Sequence, residues 1–232
     1  MGTTCSLFGD GDLAAGERWV RRLAASVTRF DESSELSRLN MAAAWVDISE
    51  ELEQLLRASL RAFETSGGLV NVAVLPSMLA IGYTRSLAEG PTAPRLDQAH
   101  SAPLLPEVLK VARGRARLAP NVRIDLGGIA KGWMADRLAA RLGDHVLVNL
   151  GGDLYARGEW PVAIAGQTYL LRNLGAATSS TRKRRWGDLH HLIDPRTGLP
   201  AATRLEEVSV VADTALDAEV LAKTVLISGR AG

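Results

Sequence analysis

The stretch Arg123-Ile124-Asp125-Leu126-Gly127-Gly128-Ile129-Ala130-Lys131-Gly132 organises the reading of this chain. It reads as a short strand ending in an acid, a glycine turn, and then a helix with Ala135, Leu138, Ala139 and Leu142 on one side. Gly127 and Gly128 lack a Cβ, so backbone can approach a ligand closely. The helix presents unpaired N–H groups and its positive dipole end at the turn. Lys131 falls in the first helical turn, where a cation is unfavourable unless an anion sits nearby. The pattern points to a phosphate or pyrophosphate site, with an ordinary strand-to-helix turn as the alternative.

Upstream, residues 3–8 read as a first strand with Cys5 as a small buried residue. Gly2 and Ser6 also fit the N-myristoylation pattern. Trp19, Val20, Leu23, Ala24 and Val27 recur at helical spacing and predict a helix over 12–29. A second helix is capped by Ser49, carries Glu50 and Glu51 in its first turn, and ends at Gly67. Its stripe of Leu52, Leu55, Leu56, Leu60 and Phe63 belongs to a core. Pro76 can start a short helix, and four prolines between 91 and 106 mark a loop around another. Residues 108–111 and 116–118 form a hairpin, and 122–126 adds a third strand.

Downstream, 145–150 is a buried strand, 160–165 and 168–171 pair across Gly166-Gln167, and 190–193 is stopped by Asp194-Pro195. Residues 208–211 form a strand, and Asp213 or Thr214 starts the last helix, which runs through Ile227. Hairpin-linked strands with inserted helices predict an α+β fold with a mainly antiparallel sheet, in one domain over 1–232.

At 232 residues with 47% hydrophobic and 23% charged residues, the composition is that of a globular protein. Net charge is +1, which gives no case for a nucleic-acid partner, and a single cysteine excludes an internal disulfide framework. No apolar run reaches the length of a membrane span. The start at Met1 shows no basic-then-apolar leader, so the chain as given reads as cytoplasmic, and as exported if a segment precedes it.

Polar side chains gather at strand ends: Asp125, Asn149, Asp153, Thr178, Ser179, His190, His191 and Asp194. Histidine suits general-base work near neutral pH, although adjacent histidines can also simply alternate across a strand. No nucleophile elbow and no His-Glu-x-x-His metal helix occurs. Arg182-Lys183-Arg184-Arg185-Trp186 reads as a solvated hairpin tip, or as a contact for an acidic partner or ligand phosphate.

In series, six segments resemble the FAD:protein FMN transferase (ApbE) family. They are Met1-Gly2-Thr3-Thr4; Ser34-Glu35-Leu36-Ser37-Arg38-Leu39-Asn40; Asp125-Leu126-Gly127-Gly128-Ile129-Ala130-Lys131-Gly132; Asn149-Leu150-Gly151-Gly152-Asp153; Ala177-Thr178-Ser179; and His191-Leu192-Ile193-Asp194-Pro195-Arg196-Thr197-Gly198. The resemblance implies a Mg²⁺-dependent enzyme that binds FAD and moves its FMN half onto a threonine of an acceptor protein, releasing AMP. It implies His191 as the base, FAD contacts from Asp125, Lys131 and Ile193, and a flavin or adenine pocket lined by Met1, Phe30, Leu69, Val70 and Asn71. It also brings the Gly127-Gly128 backbone to the pyrophosphate and metal.

The chain departs from that pattern in three places. Leu69-Val70-Asn71-Val72-Ala73 stands where the family has Ala-Phe-Asp-Pro-Thr, and Ser180-Thr181-Arg182 where it has Gly-Asp-Tyr. Glu219 and Lys223 stand at the family's side-chain metal ligands, which with Gly128 make up the implied metal site. A protonated lysine cannot ligate Mg²⁺. Glu219 and Lys223 therefore form either an ordinary i,i+4 ion pair or an arrangement with the ammonium in the metal's place. A flavin-binding relative without transfer (a carrier, reductase or FAD pyrophosphatase) and a non-catalytic partner-binding domain are the alternative functions.

Overall fold

The computed structural model describes residues 3–229. Strand β1 (Cys5–Gly9) leads to α1 (Leu13–Ser26), whose N-terminus is capped by the Asp12 carboxylate on the Ala15 amide. Ser34 caps α2 (Glu35–Met41), and β2 (Val46–Asp47) precedes α3 (Glu50–Thr65), capped by Ser49 as expected. Gly67 and Gly68, both at positive φ, turn the chain out of α3. Helix α4 (Leu75–Ala80) starts with Pro76 in its first turn. Loops with two single-turn 3₁₀ segments follow, then α5 (Leu105–Val108) and the hairpin of β3 (Leu109–Ala112) and β4 (Arg115–Leu118).

Next come α6 (Ala130–Leu142), β5 (Val146–Leu150), β6 (Asp153–Ile164) and β7 (Gln167–Ser180). The chain closes with β8 (Arg185–Trp186), β9 (Leu189–His190), β10 (Glu207–Ala212) and α7 (Ala215–Ser228). Five strands form an antiparallel sheet in the order β1-β5-β6-β7-β10, and a smaller sheet runs β2-β4-β3. The expected α+β architecture is therefore observed. Helices α6 and α7 pack together and against the large sheet, α6 over β5 and β6, α7 over β7 and β10. Trp19, Leu23, Leu52, Leu56, Trp133 and Val148 belong to the main core. Each such side chain contributes on the order of 1.5–3 kcal/mol by leaving water.

Three expectations need correction. Residues 122–126 are not a strand: the Asn40 amide takes both the N–H and the C=O of Ile124, and the Asp125 N–H goes to the Val72 carbonyl. Their alternating pattern is real, but its hydrogen bonds are spent on a side chain and a loop. The third strand of that sheet is β2. Cys5 is exposed, because β1 is an outer strand paired only with β5. The β6–β7 turn falls at Ala165-Gly166, both at positive φ, one residue before the expected position.

Candidate functional site

The site is set by where α7 begins. A Cβ on Gly132 would lie 2.6 Å from the Ala215 carbonyl oxygen, and one on Gly175 would lie 2.1 Å from the Ala215 nitrogen. Only glycine at both places lets the start of α7 wedge between α6 and β7. The Asp136 carboxylate then accepts from the Ala215 and Leu216 amides at 2.7 and 3.0 Å, satisfying N-terminal donors of α7 from the neighbouring helix. Burial pushes Asp136 up to about 6 despite those two bonds.

One and two turns along α7, Glu219 and Lys223 face the glycine turn. Glu219 is fully buried; one oxygen accepts from the Gly132 amide at 2.8 Å and the other from Lys223 Nζ at 2.9 Å. Part of the expected anion-binding potential of the α6 N-terminus is thus met within the protein. Lys131 lies 3.7 Å from the same Glu219 oxygen and pairs closely with Asp153. Asp153 reaches that position through a tight turn, with Gly151 and Gly152 at positive φ and the Asn149 side chain accepting from Gly152 N at 2.8 Å. Two buried carboxylates and two ammonium groups therefore share one cluster. Burial would raise Glu219, but Lys223, Lys131 and the Gly132 amide hold it below the usual carboxylate value. Burial pushes Lys131 down to about 8.

The two histidines separate cleanly. His190 is engaged by backbone, with Nε2 3.3 Å from the Ala201 carbonyl and Nδ1 accepting from Leu192 N at 3.3 Å. His191 Nδ1 is sealed from solvent and has no hydrogen-bond partner. Burial, with Arg184 and Lys223 nearby, holds His191 well below the ordinary imidazole value, so the ring is neutral at neutral pH. Its backbone N–H is fixed by the Arg184 carbonyl at 3.2 Å. The basic run is accordingly not a uniformly solvated tip: Arg182 pairs with Glu206, while Arg184 is half-buried and bears on Lys131 and His191.

On the other side of the glycine turn, Asp125 Oδ2 accepts from Arg29 Nε at 2.5 Å and Oδ1 from the Gly127 amide at 2.7 Å. Arg29 also donates to the Tyr83 carbonyl at 2.7 Å and lies 4.1 Å from the Phe30 ring centre and 4.7 Å from that of Tyr83. Phe30, Tyr83 and Trp186 continue as a row of ring contacts at 5.8 and 5.7 Å. Ile193 packs in the apolar cluster beneath Tyr83.

The expected residues thus fall into groups. Asp125, Phe30 and Ile193 lie along the aromatic side of the turn. Gly128, Lys131, Glu219 and Lys223 form the charged side, with His191 within electrostatic reach of Lys223. Val70 is part of the main core, and the Asn71 amide braces its own loop, donating to Pro103 O and accepting from Ala73 N, both at 2.9 Å. Leu69 is half-buried beside them. Met1 lies outside the described residues, as does Gly2. The sequence alone does not single out Arg29 or Tyr83, offers Arg184 only within a basic run, and gives Asp153 no partner. The Asn-Leu-Gly-Gly-Asp turn was the available signal for Asp153.

An antiparallel sheet, two helices wedged at a glycine turn and a buried charged cluster beside an unpartnered histidine nitrogen make up the fold and the candidate site. The ApbE family model matches residues 1–232, and the chain belongs to that family. The FAD:protein FMN transferase of Treponema pallidum is 33% identical over 241 residues, covering 85% of this chain and 66% of the relative, just under two thirds of its length. That of Haemophilus influenzae is 25% identical over 99% of this chain and 79% of its own. The ApbE protein of Thermotoga maritima shares the fold with a TM-score of 0.85 at 24% identity, covering 99% of this chain and 85% of its own. The Pseudomonas stutzeri flavinyl transferase ApbE gives 0.81 at 21%, covering 99% and 84%.

The residues at the implied metal position do not fit Mg²⁺. That ion demands oxygen ligands in near-octahedral array at about 2.1 Å. Here one Glu219 oxygen is held by an amide and the other by an ammonium, and Asp153 is held by Lys131. A Cβ on Gly128 would lie 3.5 Å from Lys223 Cε, so the lysine stem covers the glycine backbone. Among the described residues no group of three or more His, Cys, Asp or Glu side chains could hold a metal.

Proposed function

We propose that the protein binds FAD as substrate and transfers its FMN moiety to a threonine hydroxyl of an acceptor protein, releasing AMP. The observation that carries this reading is His191: a neutral imidazole, only partly covered, beside a cationic cluster. The acceptor hydroxyl gives its proton to His191 as its oxygen forms a bond to the riboflavin-side phosphorus. The anhydride P–O bond breaks, and AMP departs with the electron pair. Phosphoryl transfer asks the protein chiefly for positioning and charge neutralisation. Lys131 and Lys223 supply the charge, and the aromatic row of Phe30, Tyr83 and Trp186 offers flat surface to a flavin or adenine ring.

The partners on this reading are FAD and a protein presenting an exposed threonine. The net charge of +1 supports no nucleic-acid partner. No helix among the described residues is long and apolar enough to cross a membrane. The test is incubation with FAD and a cell extract that supplies the acceptor. A flavin-fluorescent band that survives denaturing electrophoresis, together with AMP release, is expected; AMP without a covalent band would identify a pyrophosphatase instead.

A further inference from the structure

We infer that this protein meets the negative charge of the pyrophosphate with the paired ammonium groups of Lys131 and Lys223, and not with a divalent cation; this rests on the FAD reading above. Lys223 Nζ sits 2.9 Å from Glu219 Oε1, and its stem overlies Gly128, filling the space between the turn and α7. Lys131 Nζ comes within 3.7 Å of the same oxygen. A divalent ion bound there would have to displace Lys223 from Glu219 and Lys131 from Asp153, the ammonium groups that already occupy both carboxylates.

Glu219 and Asp153 each already hold an ammonium, so they act as anchors that aim the lysines. An ammonium has three donors, and Lys223 bonds only Glu219 among the described residues, leaving donors for phosphate oxygens. The geometry also explains why Glu219 is long where a metal ligand could be shorter: it spans from α7 to the Gly132 amide. Arg184 adds a third cation from the loop before β8. The cluster is a preformed set of ammonium donors, tethered to the chain rather than exchanged with solvent as a bound ion would be.

The test is FAD binding followed by flavin fluorescence, on wild-type protein in excess EDTA and in millimolar Mg²⁺. Affinities equal within about twofold are expected, and Lys223→Met should weaken FAD by roughly ten- to a hundredfold while leaving riboflavin, which lacks the pyrophosphate, unchanged. Lys223→Arg, which keeps the charge, should stay within about tenfold of wild type. Glu219→Asp with Lys223→Thr should make FAD binding respond to Mg²⁺. Wild-type affinity that collapses in EDTA and returns with Mg²⁺ overturns this inference and leaves the transferase reading intact. A folded Lys223→Met that binds FAD as wild type does overturns it too; should that variant unfold, the wild-type comparison still decides. Absence of FAD binding in every condition overturns both.

Discussion

Lys223 Nζ lies 2.9 Å from Glu219 Oε1, on a helix face so enclosed that the Glu219 side chain is 1% exposed. On a solvated helix this i,i+4 pair would be worth a few tenths of a kcal/mol. Here it is buried and shared with Lys131. Removing Lys223 leaves the buried Glu219 with only the more distant ammonium of Lys131, 3.7 Å away, at a cost of up to about 3–5 kcal/mol. Lys223→Ala should therefore lose stability in urea denaturation well beyond a surface pair, and Glu219→Gln with Lys223→Met should recover most of the loss. Equal, small losses in all variants would show that the pair is not coupled.

His191→Ala should lower transfer by about 10²–10⁴-fold with FAD affinity retained, since the ring is assigned to the hydroxyl proton. The same residue makes a stability statement. Its folded value lies below 6.5, so its contribution is intact above the unfolded value and is lost as pH falls from 6.5 toward the folded one, where the unfolded chain takes up the proton first. The fall in Tm between pH 7 and pH 5 should be smaller in His191→Ala than in wild type.

Lys131, held down to about 8 by burial, must be an ammonium to serve the pyrophosphate. As pH rises through that value the free protein loses the charge, so kcat/KM for FAD should decline above pH 8. Lys131→Arg, which stays charged at any working pH, should abolish the decline even if its activity is lower. Persistence of the alkaline limb in that variant would assign it to another group.

Much of this was legible in the residues. Ser49 announces its helix because a hydroxyl before an apolar stripe can satisfy end amides, and it does. The glycine turn and Lys131 were readable because they are contiguous. What was hidden is non-local: Arg29 reaches Asp125 across 96 positions, and nothing near either residue encodes the other. The misread strand at 122–126 shows the same limit, since an alternating pattern does not say whether a neighbouring strand or the Asn40 side chain takes the hydrogen bonds. Arg184 reads as one of four charges on a hairpin tip or as a contact for an acidic partner or a phosphate, and the fold leaves it half-buried.

Gly132 sets a test of the packing itself. In a helix Gly→Ala ordinarily gains about 1 kcal/mol from propensity. Here the new Cβ would meet the Ala215 carbonyl oxygen at 2.6 Å and its carbon at 2.8 Å, both backbone atoms that can yield only by moving α7. Overpacking of this kind costs about 1–3 kcal/mol or more, so the clash wins. Gly132→Ala should be less stable by chemical denaturation and should disturb Glu219 and Lys223 enough to weaken FAD binding.

The same logic governs Arg29, whose side chain is 4% exposed and pairs with an Asp125 that is 11% exposed. Arg29→Ala should cost about 3–5 kcal/mol and loosen the Phe30–Tyr83 contact, while Arg29→Lys should rescue little because the ammonium cannot reproduce the guanidinium's stacking and double donation. Urea melts of the two variants check both expectations.

The central claim is that the histidine and the ammonium cluster together move FMN to a protein. The most direct measurement is mass spectrometry of threonine-containing acceptor peptides after incubation with FAD, wild-type protein and EDTA. A threonine carrying FMN less one water is expected, with AMP in equal amount, and none with His191→Ala. FAD bound but no adduct on any threonine, with or without Mg²⁺, would contradict it.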